Sequence, residues 1–160
     1  MERQERPERC NKVDNRTEER KISKIIFDTD VLIWYFRGNQ NARDLLANVP
    51  SRDRLVSSLC IMELIQGCLD KKEVKTVKEF VKENFPLVIH PDEKISENAI
   101  ELLEKHALSD GLGTIDALIA SSVLLKEATF VTANYKHFKN IPNLNIQKFD
   151  PLAACPHFFV

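Results

Sequence analysis

Three carboxylates stand where a carboxylate is difficult to keep ionised. Asp28 directly follows the apolar run Ile25-Ile26-Phe27, Glu63 lies between Leu59-Cys60-Ile61-Met62 and Leu64-Ile65, and Asp116 is enclosed by Ile115 and Ala117-Leu118-Ile119. A carboxylate in such company has to be paired, hydrogen-bonded, metal-bound or turned to solvent, because burial disfavours its charge. Arginine partners are scarce, since no arginine follows Arg54. Two readings stand side by side. Asp28 and Asp116 suit helix N-termini, where the dipole favours negative charge, and Glu63 suits a solvent-facing stripe. Taken together, acids on separate elements are what an oxygen-ligand divalent site requires. Mg²⁺ and Mn²⁺ take carboxylates and water, and clustered carboxylates repel one another without a cation.

Other chemistries lack their parts. Among only four glycines there is no GxGxxG or Walker-type phosphate loop, and the chain has no GxSxG elbow and no HExxH pair. His90, His106, His137 and His157 are scattered and read as surface or loop residues. Cys10, Cys60, Cys68 and Cys155 form no CxxC pair, and Cys60 and Cys68 fall in an apolar helical stretch. Reduced, buried thiols are expected there, not a disulfide framework or a zinc knuckle.

The elements that must position the acids alternate between strand and helix. Short apolar or β-branched runs at Ile25–Phe27, Leu55-Val56, Leu87–Ile89, Thr129–Val131 and Leu144–Phe149 read as strands. Between them, helical spacing covers Val31–Phe36, Asn41–Val49 up to Pro50, Leu59–Cys68, Lys71–Asn84, Ile95–His106, Ile115–Lys126 and Tyr135–Phe138. Asp28-Thr29-Asp30 suits a turn and N-cap, Thr114 is an expected N-cap, and Asp110–Gly113 is an expected loop. Such alternation implies an α/β fold whose central, mainly parallel sheet is covered by helices on both faces. Ligands of such sheets bind beyond the carboxyl ends of the strands, where strand order reverses. Asp28 and the Thr132–Asn134 turn follow strands and belong at that edge.

The 160 residues carry a formal net charge of −1 with 43% hydrophobic and 29% charged residues, a globular composition that excludes charge-led coating of nucleic acid. One domain is expected, since a core usually needs about 100–150 residues. Residues 1–24 differ from the rest: eight basic and six acidic side chains leave Val13 and Ile22 as the only aliphatics. They are expected to form a disordered extension, with a basic arm for RNA or a partner as the alternative. No apolar run reaches the roughly 20 residues of a bilayer span, so a cytoplasmic protein with no membrane partner is expected. Lys75, Lys78 and Lys82 form a row on one helix that reads either as a solvated face or as a track for an RNA backbone. Lys136, His137 and Lys139 lie beside the Asn134 turn. Trp34 and Tyr35 read as core or as a subunit contact.

Four segments in order resemble the successive motifs of PIN domains, and most closely those of VapC-type toxins. They are Ile25-Ile26-Phe27-Asp28-Thr29-Asp30-Val31-Leu32-Ile33, Met62-Glu63-Leu64 with Gly67 following, Asp116-Ala117-Leu118-Ile119-Ala120, and Val131-Thr132-Ala133-Asn134 with His137-Phe138. The resemblance covers residues 25–150, leaving 1–24 as extension and 151–160 as a C-terminal tail. It implies a three-layer α/β/α sandwich and a metal-dependent endoribonuclease, the toxin of a type II toxin–antitoxin pair. Matched by motif, Asp28, Glu63 and Asp116 would hold Mg²⁺, or Mn²⁺ in its place, with Asn134 at the fourth position. Many relatives carry aspartate there; asparagine offers hydrogen bonds but no charge, which weakens a second metal site. Asp30 could help through water, and Asp110 is an outside candidate. The implied partners are an RNA substrate, a protein antitoxin and a second copy in a homodimer. The implied products are a 5′-phosphate and a 3′-hydroxyl. A catalytically weak PIN domain acting as an RNA- or protein-binding scaffold is the alternative.

Overall fold

The apolar triplets and quartets between turns assemble into one sheet. In the computed structural model, which describes residues 24–152, the strands are β1 (Ile25–Phe27), β2 (Arg54–Ser57), β3 (Leu87–Ile89), β4 (Thr129–Thr132) and β5 (Asn145–Lys148). All neighbours pair in parallel in the order β3-β2-β1-β4-β5, with Ile26 opposite both Leu55 and Phe130. β1 is buried along its whole length, as a strand flanked on both sides and covered on both faces must be. Most of the expected extension 1–24, most of the tail 151–160, and Cys10, Cys155 and His157 lie outside the described residues.

Seven helices supply the crossovers: α1 (Thr29–Phe36), α2 (Gln40–Asn48), α3 (Ser58–Gln66), α4 (Lys71–Asn84), α5 (Glu93–Asp110), α6 (Thr114–Leu125) and α7 (Tyr135–Phe138). The chain steps from β1 to β2 to β3 in one direction, then crosses back to β4 and β5. Right-handed crossovers therefore put α1–α4 on one face and α5–α7 on the other. Contacts agree, since α1 packs on α2 and α3, α3 packs on α4, and α5 packs on α6. This is a three-layer α/β/α sandwich.

Helices start where a polar side chain can take an orphan N–H. Asp28, Asn39, Ser57, Asp70 and Asp92 each accept from the first turn that follows, a contribution of about 0.5–2 kcal/mol apiece. Most element ends differ from expectation by one or two residues, and two differences have a specific cause. α5 continues through Asp110 instead of ending near His106, because Asp110 Oδ2 meets His106 Nδ1 at 2.8 Å and Gly111, at φ +71°, then terminates the helix in the left-handed region. The cap of α6 is Gly113, without a side-chain bond, and Thr114 is the first helical residue.

The core runs along both sheet faces. Phe27, Phe130 and Phe138 are fully buried, and Phe130 meets Phe138 edge-on at 5.0 Å. That contact fixes α7 against β4 and so sets the turn between them. Phe130→Ala should lower the unfolding free energy by about 3–5 kcal/mol in urea titration. A loss below about 1 kcal/mol would show that the ring does not anchor this corner.

Candidate active site

Strand order reverses between β1 and β4, and the backbones leaving these two strands build the site. The Asp28 N–H donates to Val131 O at 3.0 Å, extending the ladder one residue past β1. The Asp28 carboxylate is then satisfied at both oxygens. Oδ1 accepts from Thr29 N at 2.8 Å as the cap of α1, and Oδ2 accepts from Thr132 Oγ1 at 2.6 Å. Thr132 is buried at the end of β4, and its oxygen accepts in turn from Asn134 N at 3.0 Å. Its single proton is committed to Asp28, so its 3.3 Å approach to Asp30 Oδ2 is no second donation.

Asp30 ties the same corner from the other side. Its Oδ2 accepts from Ala133 N at 2.9 Å and Asn134 N at 3.1 Å, while Oδ1 is buried with no hydrogen-bond partner among the described residues. The 132–134 turn therefore hangs on α1. Sequence reasoning placed the Thr132–Asn134 turn at this edge but gave the Thr132 hydroxyl no role of its own.

Glu63 projects from the second half of α3 and is exposed, so the solvent-facing alternative is partly correct. It is not free, because the Thr29 hydroxyl donates to Glu63 Oε2. Cys60, one turn earlier, is fully buried and feels both Asp28 and Glu63. Burial first, and these carboxylates second, push its thiol up to about 12, which keeps it protonated and inert as a nucleophile. Cys68 is only half-buried. Asp116, in the first turn of α6, is half-exposed, and its Oδ2 lies 3.5 Å from His137 Nδ1. Asn134 Nδ2 reaches the same ring nitrogen at 2.9 Å, so His137 joins the third and fourth sequence motifs. Asp110 stands outside this set, bonded to His106, Ser109 and Asn140.

The electrostatics record the crowding. Burial, then the neighbouring Asp30, raises the Asp28 carboxyl from 3.8 to about 7; Asp116 adds to the rise, and the Thr132 and Thr29 hydrogen bonds oppose it. Asp30 is raised as well, chiefly by burial, against the backbone donors of the turn. Asp28 and Asp116 thus sense each other directly, while Glu63 is linked through Thr29. Among the described residues, no three carboxylates, imidazoles or thiols are close enough as placed to share one ion.

The arrangement coincides with a known family. The sequence model of the PIN domain matches residues 25–144, which takes in every element from β1 to the approach of β5. The chain belongs to the PIN domain family. It is 28% identical over 135 residues to ribonuclease VapC1 of Methanocaldococcus jannaschii, covering 82% of this chain and 91% of that protein. Among solved structures, VapBC2 of Rickettsia felis bound to a promoter DNA fragment aligns with a TM-score of 0.66 at 23% identity, covering 79% of this chain and 98% of the other. A toxin–antitoxin complex from Klebsiella pneumoniae aligns at 0.64 and 24% identity, covering 79% and 97%. At these identities the structural likeness is one of fold.

Within this PIN domain, burial of Asp28 makes a pH dependence of its own. A carboxyl raised in the folded state adds stability below the unfolded value of 3.8, and that stability is lost as pH rises through about 7. The full swing corresponds to about 4 kcal/mol. In EDTA, the wild type should therefore lose melting temperature between pH 4 and 8, and Asp28→Asn should flatten the profile and melt higher at pH 8. Parallel profiles for the two proteins would show that Asp28 is not the strained group.

Proposed function

We propose that this chain is a metal-dependent endoribonuclease that hydrolyses RNA phosphodiester bonds, acting in the cytoplasm as the toxin of a type II toxin–antitoxin pair. The observation that carries the reading is the crowding of buried Asp28 at the sheet's switch point, where burial, Asp30 and Asp116 raise its carboxyl to about 7. Crowding acids this way destabilises the fold unless a cation offsets the repulsion. The name of the VapC1 ribonuclease and the toxin–antitoxin complexes among the structural neighbours support the same reading.

The donor set fits a hard divalent ion. Carboxylate and hydroxyl oxygens predominate in the corner, with the His137 ring at its Asp116 edge, and Asp30 Oδ1 is a buried acceptor without a partner among the described residues. Asp28, Glu63 and Asp116 would hold Mg²⁺, with Mn²⁺ as substitute, after side-chain rearrangement that draws them closer than they now stand and frees Glu63 from Thr29. Bound there, the ion would supply acidification of a coordinated water and polarisation of the phosphodiester; the expected ends are a 5′-phosphate and a 3′-hydroxyl. The chain's own groups do the rest. Thr132 and the Thr29 N–H hold the Asp28 carboxylate in one orientation. Asp30 fixes the turn that carries Asn134, and His137 aims the Asn134 amide. Asn134 orients water or phosphate without adding charge, so one strongly held ion is the simplest inventory. An antitoxin segment covering the acidic groove and a homodimer complete the proposal.

One observation favours a second reading, a weak PIN domain that serves as a scaffold: Asn134 at the fourth position supplies no carboxylate. Metal binding separates the two. Mn²⁺ should raise the wild-type melting temperature, and Asp116→Asn should remove that shift and cut RNA cleavage at least about 100-fold while circular dichroism stays native. Undiminished cleavage by purified Asp116→Asn would sink the ribonuclease assignment.

A further inference from the structure

α4 concentrates positive charge on a domain whose described remainder is net negative. Five of its fourteen residues are lysines. Four of them, Lys71, Lys75, Lys78 and Lys82, recur at intervals of four, three and four, so they stand in one row about 16 Å long. All four are exposed, and with Val74 and Glu79 they line a shallow trough of about 590 Å³. Val77, Phe80 and Val81 hold the opposite side of the helix in the core, which fixes the direction the row faces.

A merely solvated helix face does not favour this pattern. Solubility is served by alternating signs, whereas each lysine here has another three or four residues away, a spacing at which like charges repel. Lys71 also sits at the positive end of the helix dipole. Lys75 alone has an acidic partner among the described residues, Glu79 at 3.7 Å, and both side chains are solvent-exposed. The row is a linear array of largely uncompensated cations, and a linear polyanion is its complement. α4 packs on α3, the helix that presents Glu63, through its other side: Glu73, Thr76 and Val77 line the groove beside Glu63, and the lysine row faces away from it. The acidic corner itself repels RNA, so attraction for the substrate has to come from outside it.

We infer that Lys71, Lys75, Lys78 and Lys82 form a backbone-binding track for single-stranded RNA on the outer face of α4, outside the acidic corner. This rests on the ribonuclease reading. The track contributes affinity and no base preference, and its contacts release counterions.

The test is fluorescence anisotropy of a labelled 20-nucleotide single-stranded RNA with the full-length chain in EDTA, across a range of KCl concentrations. Replacing Lys75, Lys78 and Lys82 together by glutamine should lower the slope of log affinity against log salt by about 2. Replacing Lys94, Lys105 and Lys126 together should change it by less than about 0.5. The row variant should melt no lower than wild type, since repulsion has been removed. An unchanged slope, an equal fall in the control variant, or no RNA binding by wild type would overturn the track. So would loss of polyglutamate binding with RNA binding intact, which would assign the row to an acidic protein. Cleavage by wild type in Mg²⁺ is read separately. Cleavage with an unchanged slope removes the track alone, while a changed slope without cleavage removes the ribonuclease reading and leaves the track.

Discussion

One buried carboxylate organises this protein. Asp28 ends β1, caps α1, accepts the Thr132 hydroxyl from the end of β4, and has Asp30 and Asp116 as electrostatic neighbours. Desolvation and like charge push its proton affinity up, while two hydrogen bonds pull the other way, and the balance leaves the carboxyl at about 7. A fold selected only for stability would place an apolar side chain or a paired ion there. Among the described residues no basic side chain stands out as offsetting this crowding at Asp28. His137 borders the acidic set, with Asn134 Nδ2 at 2.9 Å and Asp116 Oδ2 at 3.5 Å from its Nδ1.

The sheet explains why these groups meet. Parallel pairing of β1 with both β2 and β4 aligns the carboxyl ends of three strands, and the crossover from β3 to β4 opens a crevice where the direction reverses. Each strand delivers a polar residue at the moment it leaves the core: Asp28 from β1, the Ser57 cap of α3 from β2, and Thr132 from β4. Helix-capping chemistry and site chemistry therefore share atoms. Asp28 Oδ1 starts α1 and Oδ2 holds the β4 turn, so the stability of the corner and the orientation of its acids cannot be varied independently.

Much of this was legible in the sequence because it depended on residue type and local spacing. The strands were short apolar runs between turn residues, and an acid in apolar company announces itself without any knowledge of its partners. What could not be read was the wiring. Thr132 and Asp28 are separated by 104 residues, and Asp30 meets backbone N–H groups of Ala133 and Asn134 at a similar distance along the chain. Such contacts depend on strand order, which no local pattern encodes. Glu63 shows a second limit, since its spacing was compatible with both solvent and site, and the structure gives it both: an exposed side chain bonded to Thr29. The extra turn of α5 was missed because the His106–Asp110 bond and the left-handed Gly111 act only after the helix has formed. The lysine row was visible as spacing at Lys75, Lys78 and Lys82, but its extent came from the exposure of all four side chains along one face of α4.

The most direct measurement is an NMR titration of the Asp28 side-chain carboxyl, with and without Mg²⁺. In EDTA it should titrate near 7, where burial, Asp30 and Asp116 hold it. Saturating Mg²⁺ should move the midpoint down by at least about 2 units, since a nearby cation favours the ionised form. A midpoint that stays near 7 in Mg²⁺ would contradict a metal-dependent acidic corner, whatever activity the protein displays.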